Sequence, residues 1–186
     1  MNIPTREELN ALRDECYKIS CDHGFHDEPY TVETRLCLVI TELMEAVEAD
    51  RRDRYANLQA FNESLNSYTC VESFEGYIKD TVEDELADAF IRILDFAGVE
   101  KYDIGGAFEK MMDGKKIIYI RQPLPDFIYG IVRCLVFSCM EKPYQIENTI
   151  RDLLACAKML GFDLMEHIRL KMEYNRTRER LHGKKY

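Results

Sequence analysis

At 186 residues the chain can bury one sizeable core but not two independent ones, and a formal charge of −9 without a basic stripe excludes a nucleic-acid backbone binder. Its longest apolar stretch, Gly130 to Met140, is broken by Arg133 and falls well short of the roughly 20 residues of a membrane span. The start carries no apolar signal region, so no export is expected, and seven scattered cysteines without a CxxC pair point to free thiols in a reducing cytoplasm.

Glycines and prolines fall between helical patterns, and no period-two run is long enough for a strand. The spacing predicts an all-α chain with helices over about Thr5–Ser20, Thr31–Tyr55, Asp80–Gly98, Asp126–Glu141, Tyr144–Leu160 and Leu164–Leu181. Cys21, His23 and His26, after the first of these, could hold zinc, but no fourth ligand follows at a finger-like spacing. Ala56 to Lys79 is polar, rich in Asn and Ser, and reads as a long excursion or a weak helix. Asp113 to Pro125, with the short run Ile117 to Ile120 and two prolines, divides a front half (1–112) from a back half (126–186) within a single domain of 1–186. The halves suggest a degenerate repeat in which Arg133 and Val136 stand where Glu42 and Glu45 would lie. Near the end, Gly161 closes one helix and Asp163 caps the next.

Two segments carry the chemistry: Thr41-Glu42-Leu43-Met44-Glu45-Ala46 and Asp84-Glu85-Leu86-Ala87-Asp88-Ala89. Each sets two carboxylates three residues apart on one helix face. With 34 acids in the chain, roughly six such pairs arise by chance, so spacing alone decides little. Context decides more. Around Glu85 the helix is apolar over more than half its circumference, which leaves a narrow stripe of Glu85, Asp88, Arg92 and Asp95. On the earlier helix Glu42 and Glu45 share a face with Leu38 and Ala49. Carboxylates in such company need a compensating cation or bound protons. An all-carboxylate set selects a hard ion, Mg²⁺ with Mn²⁺ as a substitute. A di-iron site would need Glu-x-x-His on two helices, and only Glu179 to His182 matches.

On the last helix Lys171, Asn175 and Arg178 fall at i, i+4 and i+7, a stripe of two cations and an amide suited to a polyphosphate. The ordered set Glu42-x-x-Glu45, Glu85-x-x-Asp88, Asp163-Leu164 and Lys171-x-x-x-Asn175-x-x-Arg178 resembles the MazG-like all-α nucleoside triphosphate pyrophosphatases. The ending His182-Gly183-Lys184-Lys185-Tyr186 is similar to that of a subgroup of them. The resemblance implies a four-helix-bundle-type core, here with an additional helical pair in the C-terminal half. Its members usually work with a second subunit, so a homo-oligomer, most simply a dimer, is expected. It also implies a nucleoside triphosphate as partner, hydrolysed between the α and β phosphates to a monophosphate and pyrophosphate. Glu42, Glu45, Glu85 and Asp88 would hold the metal and Lys171, Asn175 and Arg178 the phosphates, with Lys110 and Lys184 as further candidates. His23-Gly24-Phe25-His26 is a candidate wall for the base. The sequence departs from the family in its gap between acidic pairs, which is longer than usual. Rival readings are a non-catalytic helical module that binds nucleotide or a protein, and a His-Asp phosphohydrolase prompted by His26-Asp27.

Overall fold

The computed structural model describes residues 3–105, 119–137, 141–183 and 185, and among these it contains helices and no strand. The elements are α1 (Arg6–Asp22), α2 (Val32–Arg51), α3 (Leu58–Ser64), α4 (Cys70–Tyr77), α5 (Val82–Val99), α6 (Leu124–Phe137), α7 (Lys142–Leu160), α8 (Leu164–Arg176) and a 3₁₀ turn, Arg180–Gly183. The starts are chemically marked. Thr5, Thr31, Thr69 and Thr81 each accept a hydrogen bond from a backbone N–H of the first turn, satisfying donors the helix cannot. Gly161, at φ 93°, stops α7, and the Asp163 side chain caps α8 as the sequence predicts.

Two ends differ from the expectation. Helix α2 stops at Arg51 rather than running on to Tyr55, because the chain turns at Asp53 with φ 55°. Helix α8 stops at Arg176 and gives way to the 3₁₀ turn, so Arg178 sits beyond the regular helix. The polar stretch 56–79 folds into the short helices α3 and α4. A small satellite core of Phe61, Phe74, Ile78 and Tyr174, with Phe74 stacked on Tyr174 at 4.5 Å, docks them on α8.

Helix α5 is the axis of the bundle and touches α1, α2, α7 and α8, while α6 packs on α2 and α7. Its apolar arc is buried as the periodicity requires: Val82, Leu86, Ala89, Phe90, Ile93, Leu94 and Ala97 all lie inside the core. Where α1 crosses it, Gly98 lies against Tyr17, and a Cβ at residue 98 would come within 2.6 Å of the tyrosine Cβ. Gly98→Ala is therefore expected to lower stability by about 1–3 kcal/mol through overpacking, against the roughly 1 kcal/mol that alanine gains in a helix. Urea melts check this, and a stabilised variant would mean the two helices part without cost.

Arg133 and Val136, at the positions matched to Glu42 and Glu45, are exposed on α6. Lys110, Lys184 and the first half of the Ile117–Ile120 run lie outside the described residues. Among the described residues no helix is long and apolar enough to cross a membrane.

Candidate metal centre and adjoining cleft

The packing of α2 on α5 brings the two acidic motifs face to face. Carboxylate oxygens of Glu42, Glu45 and Glu85 lie within 4.8 Å of one another. Glu42 and Glu85 are buried, at 2% and 5% exposure, whereas Glu45 is exposed at the rim. Burial first, and then the charges of Asp84 and Asp88, push the Glu85 carboxyl up to about 9. The donor set fits a hard divalent cation: oxygens only, from two rigid helices, with one ligand that is costly to ionise without a counter-charge.

The fourth expected ligand is placed differently. Asp88 faces Lys171, whose ammonium lies 2.8 Å from it and 2.9 Å from Asp84. Lys171 is 4% exposed and Asp84 1% exposed, so these two form a buried ion pair that half-buried Asp88 joins from the cleft side. Burial disfavours the ammonium, but Asp88 and Asp84 outweigh it and raise the Lys171 pKa well above its usual value. Burial likewise pushes Asp84 up to about 6, against the pull of Lys171. Lys171, expected to bind substrate phosphate, has its positive charge shared by two carboxylates, with Phe74 5.7 Å from the ammonium. Asp84 was missed by the motif reading, although its position four residues before Asp88 on a mostly buried helix was the available signal. Glu85 also belongs to a second acidic triad with Asp80 and Asp84.

Arg92, the next member of the stripe, bonds Glu42 at 2.5 Å, and Asp95 holds His26 at 2.7 Å. Cys21, His23 and His26 form no metal-binding group among the described residues. His26 is taken by Asp95, and the His23 ring lies 2.8 Å from the Ile19 carbonyl.

A cleft open to solvent reaches the acids through Arg92, which bonds Glu42; Glu42, Glu45 and Glu85 do not themselves line it. Phe25, Tyr30, Leu38, Ile91 and Phe96 give it apolar walls, and Arg35, Arg92, Arg178, Asp88 and Asp95 give it charge. Asn175 and His182 also line it, so two members of the Lys171, Asn175 and Arg178 stripe reach the cleft while Lys171 does not. Compared with family models, with curated proteins and with solved structures, the chain matches none.

The last 3₁₀ turn is built to deliver His182. Leu181 and His182 hold φ of 51° and 52°, and the Leu181 N–H donates to the His23 carbonyl at 2.8 Å. Arg178 donates to the His182 carbonyl at 3.0 Å, and its other arm lies 3.2 Å from Nδ1 of the ring. Burial first, and then the Arg178 charge, lower the His182 pKa to about 3, so the ring is neutral. A second groove is lined by Glu45, Glu85, Arg52 and Arg54.

Proposed function

We propose that the protein is a Mg²⁺-dependent nucleoside triphosphate pyrophosphohydrolase of the MazG-like type, which cleaves between the α and β phosphates. The observation that carries the reading is the convergence of Glu42, Glu45 and Glu85, joined through the Glu42–Arg92 pair to a cleft with both aromatic and guanidinium walls. A magnesium ion on those glutamates, with Mn²⁺ as a substitute, would neutralise phosphate oxygens and lower the pKa of an attacking water. Exposed Glu45 is best placed to orient and deprotonate that water, since Glu42 is buried and already bonded to Arg92. Arg92 and Arg178 line the cleft and supply donors to phosphate oxygens, Arg178 in the role expected of it together with Lys171 and Asn175, and Arg92 as an addition. Asp88 then acts by holding Lys171 rather than by facing the other three acids. Arg52 and Arg54 keep the second groove from being wholly acidic where pyrophosphate would depart. The same reading puts the enzyme in the cytoplasm and makes it a homodimer, in keeping with its thiols and with the second subunit usual in similar proteins.

A panel of ribo- and deoxyribonucleoside triphosphates tests it. Monophosphate and pyrophosphate should form in equal amounts with Mg²⁺ and not at all in excess chelator. Release of orthophosphate from the γ position, or turnover that ignores the chelator, would overturn the mechanism. Tight binding with no turnover of any nucleotide would favour the non-catalytic module instead.

A further inference from the structure

Two buried polar atoms of residues that line the cleft have no hydrogen-bond partner among the described residues: Oδ1 of Asn175 and Nε2 of His182. Such orphans are rare in a folded interior, and a pair of them at one cleft is the mark of a ligand's polar edge. They are not equivalent. An amide can turn to offer either its oxygen or its NH₂, so Asn175 suits a donor or an acceptor. His182 has no such freedom. Arginine only donates, so Nδ1, facing the Arg178 guanidinium at 3.2 Å, must accept. The proton of the neutral ring is therefore on Nε2, and the orphan atom is an N–H donor.

The ring is also held in place. His23 and Phe25 meet it edge to face, at 5.1 and 5.0 Å between centroids, and Arg178 fixes the backbone carbonyl behind it. A flat ligand seated between the aromatic walls would find a fixed donor at its edge. A carbonyl there completes the N–H, whereas an exocyclic amino group sets two donors against each other and leaves the histidine unpaired.

We propose that His182, through its Nε2–H, is a specificity-determining residue that reads the C4 carbonyl of a pyrimidine base, where cytosine carries its amino group, so that the cleft prefers uracil and thymine to cytosine. This rests on the nucleotide reading above and narrows it to a substrate class.

The test uses binding and turnover together on the full chain. Calorimetric titration of UMP and CMP in Mg²⁺ should show UMP bound at least tenfold more tightly, and kcat/KM for the triphosphates should differ in the same direction. His182→Ala should bring the two ligands within about threefold of each other, mainly by weakening UMP. His182→Gln keeps an N–H donor, and the Arg178 bond to the backbone carbonyl does not depend on the side chain, so it should retain part of the preference. That variant also separates lost recognition from a loosened turn. Equal affinities in the wild type, a preference for CMP, or a UMP preference that survives His182→Ala would each overturn the proposal, and the pyrophosphohydrolase reading would stand as long as turnover persists. Absence of any nucleotide binding or cleavage would overturn both.

Discussion

Glu85→Gln is expected to reduce hydrolysis at least ~100-fold while leaving the metal-free protein more stable than the wild type. The two effects share one cause. Glu85 sits in the core of the acid cluster with its pKa raised from 4.5 to about 9, so folding forces a proton onto it that the unfolded chain releases above pH 4.5. Where the folded state binds more protons than the unfolded state, stability falls as pH rises, here across the window from about 4.5 to about 9. Glutamine carries no such penalty. The metal-free variant should therefore melt higher than the wild type at pH 8, by an amount equivalent to ~1–2 kcal/mol, and the gap should close toward pH 5. Magnesium should reverse the order, because it stabilises the wild type by binding its folded form and finds one ligand fewer in the variant. Thermal melts at pH 5 and 8, with magnesium and with chelator, measure all of this. A solvated acidic face predicts no difference in any condition. A structural ion pair predicts a lower melting temperature throughout, and the geometry gives that role to Glu42 with Arg92 rather than to Glu85.

How far this arrangement was legible beforehand depends on the kind of information involved. The all-α fold, the burial of α5 and the change from α7 to α8 follow from local rules: a period of 3.6, a left-handed glycine and an aspartate cap. The meeting of Glu42 with Glu85 was legible in part, since two helices each bearing acids among apolar residues have little choice but to bury them together. The fate of Lys171 was not. Its spacing with Asn175 and Arg178 describes a face of one helix, but which neighbour that face meets is a tertiary fact, and the neighbour is Asp84 and Asp88 of α5. Arg178 was singled out by its spacing, but on a helix that was expected to run to Leu181; the helix ends at Arg176, and the turn that follows brings the guanidinium to the cleft. Asp84 was obscured by its neighbour, because Glu85 and Asp88 already satisfied the motif. The donor state of His182 needed a distance to Arg178 that no sequence pattern encodes.

Lys171→Met is expected to destabilise the protein by ~3–5 kcal/mol at pH 7, the cost of removing one partner from a buried ion pair. Methionine keeps most of the aliphatic volume and the contact with Phe74, so the loss isolates the charge. Asp84 and Asp88 would then lie side by side in the bundle with no ammonium between them, and both would be driven to take up protons. An acid whose folded pKa is raised contributes least at high pH, so the deficit of Lys171→Met should shrink as the pH is lowered toward 5. Asp84→Asn in the Lys171→Met background should likewise recover stability, because it removes one of the stranded charges. In a double-mutant cycle the pair should therefore be less damaging than the sum of its parts. A lysine devoted to substrate phosphate makes the opposite forecast: an unchanged melting curve, no coupling to Asp84, and a loss confined to nucleotide affinity. Urea unfolding of the two single variants and the double variant at pH 5 and pH 8 separates these outcomes. Additive losses, or a Lys171→Met protein as stable as the wild type, would return Lys171 to the phosphate-binding role and leave Asp88 available to the metal.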